Sequence, residues 1–105
     1  MAGEMNIEEL KDAMKKNKKI TLLDVRRRED FHASPKKIPG ARWEDPGKAD
    51  TWISNYAKDR PAVVYCVKGG GVSQSVAEKM AQIGIETRFL KGGIRDWAEN
   101  GLPVE

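Results

Sequence analysis

Cysteine and histidine are almost absent from this chain of 105 residues, which has one of each, Cys66 and His32. One cysteine cannot build an internal disulfide framework, and an unpaired thiol is typical of reducing compartments. No apolar run approaches the ~18 residues that a membrane span needs. The first five residues carry an acid and a glycine where a signal peptide has basic and then apolar residues. We therefore expect a cytoplasmic protein with no membrane partner.

The chain also lacks a strong charge of either sign, since 19 basic and 16 acidic residues leave a net charge of +3. The basic residues nevertheless form three runs, at 15–19, 26–28 and 36–37. No aromatic stacking pattern accompanies them, so we interpret these runs as a solvated face or a general attraction for small anions. No nucleic-acid partner is expected. A hydrophobic fraction of 39% with 33% charged residues is typical of one globular domain.

Apolar strand patterns alternate with helical patterns along the chain. Strands are predicted at 20–25, 62–65 and 87–90. Helices are predicted after Asn6, which begins a capping box with Glu9, around 29–31, and at 50–58, 73–84 and 94–100. This alternation predicts a single α/β domain over 1–105, a parallel sheet with helices on both faces. Residues 1–5 are expected to be disordered.

The most informative segment surrounds Cys66, which directly follows the apolar run 62–65 and directly precedes a glycine-rich loop. Ser73 then opens an amphipathic helix. Glycines allow successive N–H groups to turn inward, and a helix N-terminus favours negative charge. We therefore predict that the backbone amides of 67–73 converge on the sulfur and favour its thiolate, with the positive charge of Lys68 nearby. Cys66 and Asp24 both end predicted strands, where ligands of open α/β sheets bind.

Four ordered segments resemble the rhodanese homology domain. They lie at 22–26 with 29–31, at 38–41, at 65–73, and at 90–94 with Trp97. The second segment has Lys37 where the family usually has histidine before Ile-Pro-Gly-Ala. The resemblance extends over nearly all of the chain from Ile20 onward.

This resemblance implies sulfur transfer by a persulfide on Cys66. The expected donor is thiosulfate or a similar small anion, and the expected acceptor is cyanide, a small thiol or a protein thiol. Substrate-binding groups are expected in the loop backbone and the Lys68 side chain, over Val67, Lys68, Gly69, Gly70, Gly71, Val72 and Ser73. Thiolate chemistry with sulfite as leaving group needs no metal and no general acid. We therefore expect no cofactor and no metal, and interpret His32 as an exposed surface residue.

The loop departs from the common family pattern C-x-x-G-x-R-S, because it is one residue longer and has Val72 in place of the arginine. The longer loop resembles the branch with cell-cycle tyrosine phosphatases and arsenate reductases. One alternative is therefore an oxyanion-handling enzyme, a phosphatase or an arsenate or chromate reductase. Another is a binding module without catalysis. Phosphoryl transfer relies on bidentate contacts from a guanidinium, so the missing arginine favours sulfur transfer.

Residues outside the loop receive mainly structural interpretations. Asp24 and Arg26 are expected to form an architectural pair. Trp43 and Arg42 are candidates for the pocket mouth. Trp52 and Trp97 are expected to lie on buried helix faces.

Overall fold

The computed structural model describes residues 2–16 and 19–105, which contain five strands and five α-helices. The strands are β1 (Gly3–Met5), β2 (Thr21–Asp24), β3 (Arg42–Trp43), β4 (Ala62–Tyr65) and β5 (Thr87–Leu90). The helices are α1 (Ile7–Lys15), α2 (Arg28–Ala33), α3 (Ala49–Trp52), α4 (Gly71–Gln82) and α5 (Gly93–Glu99). Short 3-10 turns flank α3 at Pro46–Lys48 and Ile53–Asn55.

The strands form one sheet in the order β1-β5-β4-β2-β3, and every neighbouring pair is parallel. Alternate residues of a strand point to opposite faces. Val63 accordingly packs with Leu10 and Trp97 of α1 and α5, whereas Val64 packs with Trp52 and Met80 of α3 and α4. The predicted α/β class, with helices on both faces of a parallel sheet, is confirmed. No helix in the described residues is long and apolar enough to cross a bilayer.

The central strand β4 positions the cysteine. All four of its residues are buried, which explains why its sequence is apolar on both faces. Strands β4 and β5 have the bounds that the sequence predicts, and β2 is one residue shorter at each end than the predicted 20–25. Cys66 therefore leaves the sheet at its centre, beside the ends of β2 and β5.

Helix α1 begins directly after Asn6, because the side chain of this residue caps the helix N-terminus. The Asn6 side chain accepts from Glu9 N (2.8 Å) and the Glu9 carboxylate accepts from Asn6 N (3.0 Å), which confirms the capping box. Helix α4 begins at Gly71, two residues before the predicted start, because the extended backbone of Gly70 already forms its N-cap. The helix predicted at 50–58 is wrong in extent, since it ends in a 3-10 turn at Asn55.

The expectation that residues 1–5 are disordered is wrong for β1. Gly3, Glu4 and Met5 pair in parallel with β5, and the Arg88 guanidinium donates to Glu4 O at 2.6 Å. This pairing depends on backbone groups of β5, which lies far along the chain, so the composition of residues 1–5 alone does not reveal it. Met1 lies outside the described residues, as do Asn17 and Lys18 of the basic run.

Candidate active site

Cys66 lies at the carboxyl end of β4, with 6% of its surface exposed. It lines an open depression of about 290 Å³, named here the Cys66 depression. The lining residues are Arg26, Arg27, Asp30, Cys66, Val67, Lys68, Gly70, Gly71 and Val72. The fold therefore brings together most of the predicted loop and adds residues that follow β2.

The backbone of Cys66 and Val67 is held by the first turn of α5. Ile94 N donates to Cys66 O and Arg95 N donates to Val67 O, both at 3.0 Å. Amides in the first turn of a helix have no partner within the helix, so they are available for such bonds. The loop is thus fixed by two hydrogen bonds from a distant segment.

Two glycines permit this close contact. Gly93 has φ +61°, and a Cβ there would overlap the carbonyl oxygens of Cys66 and Val67. Gly69 has φ +76°, and a Cβ there would lie 2.7 Å from the backbone oxygen of Leu90. Gly69 was predicted to be a binding residue, but it does not line the Cys66 depression. It packs against the β5–α5 connection instead.

The hydroxyl of Ser73 is the group that contacts the sulfur. The thiol donates to Ser73 Oγ at 3.2 Å, and this hydroxyl is 3.4 Å from Gly70 O. A hydroxyl hydrogen rotates to suit its partner, so the same group can donate to a thiolate. Ser73 was predicted to contribute its backbone amide. Its side chain, fully buried in α4, makes the contact instead.

The backbone amides predicted to converge on the sulfur do not bond to it directly. Within residues 2–16 and 19–105, Ser73 is the hydrogen-bond partner of the thiol. The first α-helical bond of α4 runs from Gln74 N to Gly70 O (3.2 Å), so the amides of Gly71 and Val72 precede it. These two residues line the depression. Donation by their amides to a persulfide therefore stays a prediction.

Asp24 and Arg26 form a buried ion pair, 0% and 3% exposed. The Arg26 guanidinium donates to both carboxylate oxygens of Asp24 at 2.6–3.0 Å. It also donates to Ser34 O (2.8 Å) and Lys36 O (2.9 Å). Arg26 therefore ties the loop after α2 to the end of β2, which agrees with the architectural role expected for the pair.

Arg27 is a site residue that the sequence interpretation missed. It is exposed and lines the Cys66 depression. It also lines a neighbouring cleft of about 620 Å³, named here the arginine cleft, together with Arg28, Asp45, Gly71 and Val72. The available signal was its position directly after β2, because the carboxyl ends of parallel strands share one edge of a sheet.

The two candidates for the pocket mouth lie elsewhere. Trp43 stacks on Phe31 (ring centroids 4.9 Å apart) and donates from Nε1 to Arg26 O (2.9 Å). Arg42 is exposed and pairs with Glu44 at 3.5 Å. Neither lines the cavities found beside Cys66 in the described residues, so the expectation for Trp43 is wrong.

His32 is exposed on α2, as the sequence interpretation expects. Trp52 and Trp97 are buried, as predicted, at 6% and 1% exposure. Among residues 2–16 and 19–105, no three His, Cys, Asp or Glu side chains are grouped so that they could hold a metal ion.

The tyrosine before the cysteine links the segment 38–41 to the site. Tyr65 Oη accepts from Ile38 N at 3.1 Å, so this segment is joined to the end of β4. Burial, with the neighbouring charge of Asp24, raises the pKa of Tyr65 above its usual value. The phenol therefore stays neutral beside the buried ion pair.

Comparison with known proteins gives one family and one fold. Residues 6–100 match the family model described as rhodanese-like domain. A sulfurtransferase of Allochromatium vinosum is 30% identical over 104 residues, which cover 99% of this chain and 95% of the relative.

Solved structures agree in fold. The rhodanese-related protein of Thermoplasma volcanium superposes with a TM-score of 0.84 at 24% identity, over 98% of this chain and 97% of that one. A Rhodopseudomonas palustris protein described as a possible tyrosine phosphatase superposes with a TM-score of 0.85 at 22% identity, over 99% and 85%. At such identities the structural likeness supports the architecture and leaves the chemistry to the site itself.

Proposed function

Because the chain belongs to the rhodanese-like domain family, we propose that it is a sulfurtransferase that carries sulfane sulfur as a persulfide on Cys66. The observation that carries the proposal is the placement of the chain's single cysteine at the end of the central strand, lining an open depression among cationic side chains. The sulfurtransferase of Allochromatium vinosum supports the same class of reaction.

In the first step, the Cys66 thiolate attacks the outer sulfur of thiosulfate or a similar small anionic donor. A bond forms between the two sulfur atoms, and the bond from the outer sulfur to the sulfonate sulfur breaks. Its electron pair leaves with sulfite. The enzyme then carries a persulfide, and the total charge is conserved.

In the second step, a thiophilic acceptor attacks the terminal persulfide sulfur. Cyanide leaves as thiocyanate, or a thiolate leaves as a new persulfide, and the electron pair of the broken bond restores the Cys66 thiolate. A small thiol or a protein thiol is the proposed acceptor in place of cyanide. No external oxidant or reductant is needed in either step.

Each contact has a role in this scheme. Ser73 Oγ donates to the thiolate at the position where it now accepts from the thiol. We expect the amides of Gly71 and Val72, residues that line the depression, to donate to the terminal sulfur of the persulfide. Lys68 is exposed at the same depression and attracts anionic donors.

The phosphatase alternative is disfavoured by Val72. Transfer of a phosphoryl group depends on charge stabilisation that a guanidinium in the loop supplies, and a valine side chain supplies none. The exposed ammonium of Lys68 offers a point charge without bidentate geometry. We therefore expect no turnover of a phosphate ester.

The test is to incubate the protein with thiosulfate and measure its intact mass. We expect the mass of one added sulfur atom, its removal by cyanide with formation of thiocyanate, and neither event in Cys66→Ser. An unchanged mass in the unmodified protein would contradict the proposal. Hydrolysis of a phosphate ester that is lost in Cys66→Ser would support the alternative.

A further inference from the structure

The three consecutive arginines after β2 have different environments, although the sequence suggests one solvated run. Arg26 is buried and fully engaged with Asp24 and two backbone carbonyls. Arg28 is exposed and pairs with Asp45 at 3.2 Å. The amide of Gly47, assisted by that guanidinium, holds the pKa of Asp45 below its usual value.

Arg27 differs from both neighbours. No salt bridge or side-chain hydrogen bond engages it among the described residues, and it is exposed. Its backbone is anchored, because its carbonyl accepts from Phe31 N (3.0 Å) at the start of α2. It alone of the three lines both the Cys66 depression and the arginine cleft. An unpaired guanidinium is therefore carried by a residue that lines the same cavity as Cys66.

The loop around Cys66 lacks a guanidinium of its own, because the position that the family fills with arginine is Val72. Arg27 and Val72 line the same two cavities. A guanidinium is thus available to these cavities from a different element, the turn between β2 and α2. A guanidinium can present two parallel N–H groups to an oxyanion, which an ammonium cannot.

From this geometry, and resting on the proposed sulfur transfer, we infer that Arg27 binds the oxyanion group of the sulfur donor and selects anionic donors over neutral ones. Its partner in thiosulfate is the sulfonate, which departs as sulfite. Neutral sulfane donors such as dialkyl trisulfides offer no such group. Arg27 is therefore a determinant of donor specificity and not a part of the acceptor step.

The first experiment compares Arg27→Gln with Arg28→Gln, which removes the same charge from the adjacent residue. We expect Arg27→Gln to raise the KM for thiosulfate about fivefold, which corresponds to ~1 kcal/mol and to the upper range for exposed ion pairs. The KM for cyanide and the rate with a neutral trisulfide stay unchanged. Arg28→Gln leaves all three values near those of the unmodified protein. Equal effects of the two variants, or an equal loss with the neutral donor, would overturn the inference.

A second measurement does not depend on sulfur transfer. Iodoacetate and iodoacetamide alkylate the same thiol, but only iodoacetate is an anion. We expect the ratio of their rates at Cys66 to fall about fivefold in Arg27→Gln and to stay unchanged in Arg28→Gln. An unchanged ratio in Arg27→Gln overturns the inference even if thiosulfate loads the protein. If thiosulfate does not load the unmodified protein, the proposed function fails, and this ratio still decides whether Arg27 binds anions at the site.

Discussion

Replacing Gly93 by alanine tests whether the contact between α5 and the loop positions the nucleophile. The new Cβ would overlap the carbonyl oxygens of Cys66 and Val67, which are backbone atoms and cannot rotate away. The first turn of α5 must therefore move. This movement strains or breaks the two 3.0 Å bonds from Ile94 N and Arg95 N.

Two costs add up in this variant. An alanine at φ +61° pays the left-handed penalty of about 1–2 kcal/mol. Losing two backbone hydrogen bonds adds about 0.5–1.5 kcal/mol each. We therefore expect Gly93→Ala to lower the free energy of unfolding by about 2–5 kcal/mol.

Gly101→Ala is the matched control. Gly101 has a similar φ of +74°, but a Cβ there meets no atom within 4 Å. Only the left-handed penalty of about 1–2 kcal/mol applies. Urea unfolding followed by circular dichroism measures both variants, and alkylation of Cys66 by iodoacetamide measures the site in each. We expect the rate at which iodoacetamide alkylates Cys66 to change only in Gly93→Ala, where alkylation becomes slower. Equal destabilisation by the two substitutions, with equal alkylation, would refute the reasoning.

Two further predictions concern the sulfur and the tyrosines. Ser73→Ala removes the hydroxyl at 3.2 Å from the sulfur and should slow alkylation of Cys66 at neutral pH by roughly 2- to 10-fold, the equivalent of one hydrogen bond. Ser54→Ala, at an exposed position of a 3-10 turn, is the control and should be alkylated at the rate of the unmodified protein. If Ser73→Ala is alkylated as fast as Ser54→Ala, the Ser73 hydroxyl does not act on the sulfur. Burial, helped by the carboxylates of Glu44 and Asp24, raises the pKa of Tyr56 and of Tyr65 above the usual 10.0. Because the pKa of each phenol is higher in the folded than in the unfolded protein, the contribution of the neutral phenols to the free energy of unfolding is complete below pH 10. This contribution is lost as the pH rises further. In an alkaline titration, tyrosinate absorbance should therefore appear together with loss of the circular dichroism signal. Tyrosinate absorbance near pH 10 with an unchanged circular dichroism signal would contradict this prediction.

The sequence predicted those parts of the fold that depend on neighbouring residues. Strand β4, the capping box at Asn6 and the position of Cys66 at a strand end each follow from a short pattern. Periodicity placed Trp97 on a buried face for the same reason. The order of these elements was sufficient to identify the α/β class.

The features that were missed depend on contacts between distant segments. Strand β1 exists because β5 offers a free edge, which the residues 3–5 do not encode by themselves. The approach of Arg27 to the Cys66 depression depends on how the turn after β2 sits against the start of α4. Ser73 contacts the sulfur through its side chain from the first turn of α4, a helix that starts at Gly71, two residues earlier than predicted.

The two hydrogen bonds from α5 to the loop make the arrangement around Cys66 a late product of chain synthesis. The carbonyl of Cys66 has its partner only once Ile94 has been made and has folded back across the sheet. A nascent chain that ends before this turn carries the thiol without the bonds that orient it. The position of the loop is thus coupled to completion of the last helix, and local unfolding of that helix would release the Cys66 loop while the sheet stays intact.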